Sequence, residues 1–303
     1  MEIYTVIILI LAGLLFCAIV GYLRMKGKDE TPSLSGEAIY QSQTEPVIIN
    51  YTCTNLSLVP ESALLNAKKT LHIAYGHTSH GSQIISGMSG LSQFAGAPHD
   101  SSLYTWNSND GDGALDLRDG IISGDLGNPD RRSWADRTRT YLNVHPDVNV
   151  VMWSWCGQVS GAKEPHINTY LSLMNKLESE YPGVKFVYMT GHLDGTGVTG
   201  NLNIRNEQIR TFCRSYNKIL YDFADIESYD PDGKIFLDKG ADDGCNYDGG
   251  SRNWAIDWQN SHRMGFDWFE CGSAHSEPLN ANQKAYAAWW LWARLAGWDG
   301  NTR

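Results

Sequence analysis

Thr70-Leu-His-Ile-Ala-Tyr-Gly-His-Thr-Ser-His-Gly-Ser-Gln83 is the stretch whose reading decides the fold. An apolar run of strand formers ends at Gly76, and a polar turn follows with His77, Thr78, Ser79, His80 and Ser82. The next residues, Ile84-Ile-Ser-Gly-Met-Ser-Gly-Leu91, can start a helix. A strand that ends in a hydroxyl-bearing turn and feeds a helix fixes a nucleophile beside free helix N–H groups, which can hold a developing oxyanion. The plainer alternative is a polar loop that caps the helix, since Ser and Thr are ordinary N-caps.

Working outward, the same alternation repeats. Strands are expected near Thr70–Tyr75, Asn149–Trp155, Lys185–Thr190 and Ile219–Asp222. Helices are expected over Ser133–Leu142, Glu164–Tyr181 and Asn203–Tyr216, and the stretch around Asn107-Ser-Asn-Asp-Gly-Asp-Gly reads as a long polar loop. Strands alternating with helices predict an α/β fold, a parallel sheet covered on both faces. Such sheets bind ligands at the carboxyl ends of their strands. Those ends carry His77–Ser82, Ser154–Gln158, Gly191–Gly195 and Asp222–Asp225, each rich in chemically useful side chains.

The second informative stretch runs from Cys271 to Gly297. His275 sits in a loop, Pro278 follows, and a helix is expected from Asn280 to Ala296 with Ala285, Ala288, Trp289, Trp292 and Leu295 on one face. An early Ser after a strand and a late His before the final helix suggest a nucleophile and its base.

Taken together, Tyr-Gly-His-Thr-Ser79-His-Gly and Ser-Ala-His275-Ser-Glu-Pro-Leu-Asn resemble the SGNH/GDSL hydrolase superfamily, over roughly Lys68 to Gly297. The resemblance implies a three-layer α/β/α sandwich with a parallel central sheet, and an esterase that needs no cofactor and no metal. It implies Ser79 as nucleophile, with Thr78 and Ser82 as rivals, and His275 as base. The branch is divergent. The usual Gly-Asp-Ser turn is Gly76-His77-Thr78-Ser79, the Asp three residues before the histidine is Gly272, and the Gly-x-Asn-Asp block is replaced by Trp155-Cys156-Gly157-Gln158. Gln158 would stand in for the family Asn as an oxyanion donor, with Gly127 offering a backbone N–H. Glu277, Asp194 or a carbonyl would orient His275. His77, His80, His192 and Asp194 would bind substrate or brace the serine turn.

Two other functions stay open. His77, His80, His192 and Asp194 offer the ligand types of a zinc hydrolase, although no His-Glu-x-x-His occurs. Eleven Trp residues also suit a non-catalytic glycan-binding cleft. The expected partner is an ester or glycan substrate. A net charge of −10 without a basic stripe argues against nucleic acid.

Three segments are expected: a membrane anchor over 1–24, a flexible linker over 25–62 and the hydrolase-like domain over 63–303. Ile3–Leu23 is uncharged and long enough to span a bilayer. Arg24, Lys26 and Lys28 follow it and favour a cytoplasmic domain. The sequons at Asn50 and Asn55, the scarcity of Lys and the cysteine-bearing loops favour the outside, which is the expected side. Asp230–Glu270 reads as an acidic, Trp-bearing lid or wall. Its carboxylates suit a solvated loop better than a Ca²⁺ site, and Cys245 and Cys271, which bracket much of it, would restrain it as a disulfide outside the cell.

Overall fold

The strands of the main sheet are, in chain order, β1 (Val47–Ile49), β2 (His72–Gly76), β3 (Trp106–Asn107), β4 (Leu115–Asp119), β5 (Val150–Trp153), β6 (Lys185–Met189) and β7 (Ile219–Tyr221). The computed structural model describes residues 45–108, 111–120 and 123–301. All seven strands are parallel, in the order β1-β7-β6-β5-β2-β4-β3. β5, β6 and β7 are buried along nearly their whole length, which is why they read as continuous apolar runs rather than alternating ones.

The helices are α1 (Glu61–Thr70), α2 (Ser82–Leu91), α3 (Ser133–Val144), α4 (Glu164–Glu180), α5 (Asn201–Ser215), α6 (Phe223–Ile226), α7 (Trp254–Ser261) and α8 (Pro278–Leu295). α1 and α2 both pack on α8, while α4 packs on both α3 and α5, so helices flank the sheet in two groups. Pro278 opens α8, where its missing N–H costs no intrahelical bond. α8 is buried almost throughout, and α2 crosses it closely. A Cβ added at Gly87 of α2 would lie 2.1 Å from the Ala281 carbonyl oxygen, so only glycine permits that approach.

Three expectations change. Part of the expected linker is structural: Val47-Ile-Ile49 pairs with β7, and single turns at Tyr51–Cys53 and Leu56–Leu58 put Cys53 and Leu56 into the core. The supposed long loop holds β3 and β4, whose Asp116 is buried against His72 at 2.8 Å and Arg118 at 2.7 Å. Eight of the eleven Trp residues are buried, so most of the Trp content builds core, while Trp106, Trp258 and Trp298 stay partly exposed.

The expected membrane span, Ile3–Leu23, lies outside the described residues. Among the described residues no helix is long and apolar enough to cross a bilayer. The Asp230–Glu270 segment forms an ordered wall, with a small hairpin, β8 (Asn246–Tyr247) against β9 (Arg252–Asn253), and then α7. Phe236, Tyr247, Trp254 and Trp268 give it a core of its own, shared with Leu193 and Leu279. The wall is pinned to the loop after β6 by the Gly195 N–H, which donates to the Ala241 carbonyl at 3.2 Å.

Candidate active site

The chain leaves β2 for β4 and β3 on one side and then crosses back to β5 on the other. The loops after β2 and β5 therefore diverge, and a crevice opens at their carboxyl ends. The two ends are in register, with Gly76 opposite Trp153 and the Ser154 N–H donating to the Gly76 carbonyl at 2.9 Å. The next residues of each loop meet there: Ser79 Oγ lies 3.5 Å from Cys156 Sγ. Gly81 lets the turn seat so deeply, since a Cβ at that position would fall 2.2 Å from Ser154 Oγ and 2.7 Å from the Tyr75 hydroxyl.

His80 is the centre of the site and is buried. Its Nε2 lies 2.9 Å from Asp243 Oδ2, and its Nδ1 lies 3.1 Å from Cys156 Sγ. An ionised carboxylate only accepts, so Nε2 carries the proton and Nδ1 is left as the acceptor for the thiol. Burial lowers the His80 pKa below the usual imidazole value, outweighing the hydrogen bond to Asp243, and His192 lowers it further. Burial alone would raise the Asp243 pKa, but the His80 hydrogen bond and the two neighbouring imidazoles bring it below the usual carboxylate value. Both directions give a neutral imidazole beside an ionised carboxylate near neutral pH.

Two further imidazoles stack on His80: His192 at 3.7 Å between ring centres and His275 at 4.6 Å. His192 is 8% exposed, and its Nδ1 lies 2.6 Å from the Leu193 carbonyl oxygen. Nδ1 is therefore the donor, and Nε2 is a buried acceptor with no partner among the described residues. His275 is exposed and takes a left-handed backbone conformation, with φ of 64°. Among the described residues its ring makes no hydrogen bond, and neither Glu277 nor Asp194 orients it.

The remaining expected residues have other partners. His77 lies 2.5 Å from Asp119 through Nε2. Thr78 Oγ1 donates to Asp125 at 2.9 Å, and Ser82 Oγ donates to the Ser79 carbonyl at 2.6 Å, so of the three hydroxyls on the turn it is that of Ser79 that faces Cys156. The Gly127 N–H donates to Asp125 at 2.8 Å. Gln158 accepts from the Cys156 N–H at 2.9 Å and donates to Asp125 at 3.2 Å, so both of its amide groups serve to shape the loop. Asp194 closes a local turn onto the Thr196 N–H at 3.1 Å. Asp222, from the fourth strand end, is buried in an ion pair with Arg210 at 2.6 Å.

The ligand set expected for zinc, with His77 and Asp194, is thus not gathered. Among the described residues, His80, His192 and Asp243 do bring one ligand atom each to within 4.8 Å of one another. In a second cluster, His72, Asp116 and Asp147, both carboxylates are already paired with Arg118. Cys245 and Cys271 are free thiols rather than a disulfide. Cys245 Sγ faces Ser276 Oγ at 3.3 Å, and Cys271 Sγ faces the Pro278 carbonyl at 3.8 Å.

A buried brace ties the site loops together. Lys284 on α8 pairs with Glu227 at 2.6 Å and donates to Gln83 Oε1. Gln83 Nε2 donates to the Ala274 carbonyl at 2.5 Å, next to His275, and Glu227 accepts from the Leu193 N–H, next to His192. Three loops that supply imidazoles are thereby held by one ion pair. Sequence reasoning missed Asp243, Glu227, Gln83 and Lys284. Buried Lys and Glu leave no local pattern, and Asp243 is one of several acidic residues in its segment.

Compared with known protein families, curated proteins and solved structures, the chain matches none.

Proposed function

We propose that this protein is a hydrolase that cleaves esters by acyl transfer, using a side-chain nucleophile where the loops after β2 and β5 meet. The observation that carries the reading is His80, with one ring nitrogen 3.1 Å from a nucleophile and the other 2.9 Å from a carboxylate. Nucleophile, base and orienting acid in that sequence are the parts that covalent acyl transfer needs. The resemblance to SGNH hydrolases adds support through the Ser79 turn, the parallel sheet and the His275 loop before the last helix. On this reading the general base is His80 rather than His275.

The unpartnered His192 Nε2 accepts a hydrogen bond, so the substrate should present a donor beside its ester. A hydroxyl next to an ester is the chemistry of an acylated polyol or carbohydrate. The test is hydrolysis of an acyl-ester panel, including p-nitrophenyl acetate and acetylated sugars, by the wild-type chain and by His80→Ala. We expect turnover that falls by about 10³-fold or more in the variant. Absence of turnover on every ester, or full activity without His80, would sink the reading.

A second reading rests on the convergence of His80, His192 and Asp243, which is a ligand set suited to a metal-dependent hydrolase. Chelation separates the two, because acyl transfer through a side chain survives it, whereas loss of activity restored by Zn²⁺ would favour the metal.

For location, we propose that the apolar run Ile3–Leu23 tethers the domain to a membrane and that the domain lies outside the cytoplasm. Protease added to intact cells should release a soluble fragment. Protection until the cells are permeabilised would reverse that orientation.

A further inference from the structure

We propose that Cys156, not Ser79, is the nucleophile, so that the protein works through a thioester held by the triad Cys156, His80 and Asp243. This rests on the acyl-transfer reading and names the atom that performs it. Three observations carry it. Cys156 Sγ is the nucleophilic atom in contact with the His80 acceptor nitrogen, at 3.1 Å. Ser79 Oγ meets the sulfur at 3.5 Å and, among the described residues, makes no hydrogen bond to an imidazole. Third, open space adjoins Gly157, the residue that follows Cys156. Leaving its two chain neighbours aside, a Cβ added at exposed Gly157 would meet, within 4 Å among the described residues, only the unpartnered His192 Nε2, at 3.9 Å.

The chemistry balances with water as the only co-reactant. The Cys156 thiol proton passes to His80 Nδ1 as Sγ attacks the ester carbonyl carbon. The carbon–oxygen bond to the alcohol breaks, and the imidazolium gives its proton to the departing oxygen. Water then attacks the thioester and loses a proton to His80 Nδ1. The carbon–sulfur bond breaks, the acid leaves, and the proton returns to the sulfur. Asp243 keeps the Nε2 proton throughout and stabilises the transient imidazolium. A thiol needs less help than a hydroxyl, because it ionises far more readily. Ser79 is then a positioning neighbour that donates to the sulfur.

The test uses the full-length chain with p-nitrophenyl acetate, followed by acid quench and peptide mass spectrometry. The acetyl group is expected on the Cys156 peptide and should be removed by neutral hydroxylamine, as a thioester is. Turnover should fall by about 10³-fold or more in Cys156→Ala and by about tenfold or less in Ser79→Ala. Cys156→Ser, which keeps the shape of the site, should also lose most of the turnover, and circular dichroism checks that each variant is folded. Acetyl on Ser79, or Cys156→Ala active while Ser79→Ala is dead, would overturn this proposal and leave the acyl-transfer reading standing. No turnover of any ester by the wild-type chain would overturn both.

Discussion

Lys284 Nζ lies 2.6 Å from Glu227 Oε2, and neither side chain reaches solvent. Burial lowers the Lys284 pKa, and the Glu227 carboxylate acts against that shift. Removing one partner would strand the other charge in the core. Lys284→Ala should therefore cost about 3–5 kcal/mol of stability in chemical denaturation, whereas Lys284→Met combined with Glu227→Leu should cost much less. A loss below about 1 kcal/mol in the single variant would show that the pair is not load-sharing in the way described.

The pH dependence follows from His80. On the proposed acyl-transfer mechanism its base form is required, and its pKa lies below the usual value near 6.5. Around the ring stand Cys156, Asp243, His192 and His275, with Glu227 acting at longer range. The rate should stay flat as pH falls to about 6.5 and decline only below it. Asp243→Asn removes the charge that raises the His80 pKa, so its acid limb should shift to still lower pH while the rate drops. The sign for stability is the same. Below about 6.5 the unfolded chain takes up the proton first, so His80 costs stability progressively as pH falls toward its folded value. An acid limb above 7 in the wild type would contradict this account.

Thiol reactivity should single out Cys156 among the five described cysteines. Cys53, Cys213 and Cys245 are buried, and burial raises the pKa of each, to about 12 for Cys245. Cys271 is half-buried, yet its pKa is also pushed up to about 12 by burial and by Glu270. Brief iodoacetamide treatment read by peptide mapping should label the Cys156 peptide first. Earlier labelling of Cys271 would show that the crevice is closed to reagents.

Gly81→Ala should disturb the turn that holds Ser79 and His80. The added methyl meets Ser154 Oγ, His77 Cβ and the Tyr75 hydroxyl, all inside 3 Å. Overpacking of this kind costs about 1–3 kcal/mol. A thermal melt unchanged from wild type would mean that the turn can shift freely.

The sheet was largely readable because its central strands are buried on both faces and thus appear as unbroken apolar runs. β4 escaped notice because Asp116 and Arg118 look like loop residues until His72 and Asp147 are placed beside them. β1 escaped because three apolar residues amid Pro, Asn and Thr are too short a signal. The site was legible in part. The turn from His77 to Ser82 is dense enough in hydroxyls and imidazoles to stand out. His80 and His192 stand out in the sequence as substrate-binding, bracing or zinc-ligand candidates but not as the base, since spacing cannot show that their rings stack. Asp243 could not be found, because its role depends on a wall folding back across more than 160 residues of chain.

The sheet is finished at Tyr221, but Asp243, His275 and Lys284 all come later in the chain. An incomplete copy can thus own every strand of the scaffold and still lack the carboxylate that steadies His80 and the ammonium that ties its loops. Synthesis order makes competence the last property acquired, so prematurely terminated copies would be inert rather than loosely active. A chain stopped before Pro278 should show no ester turnover, even where it retains helical and strand signals.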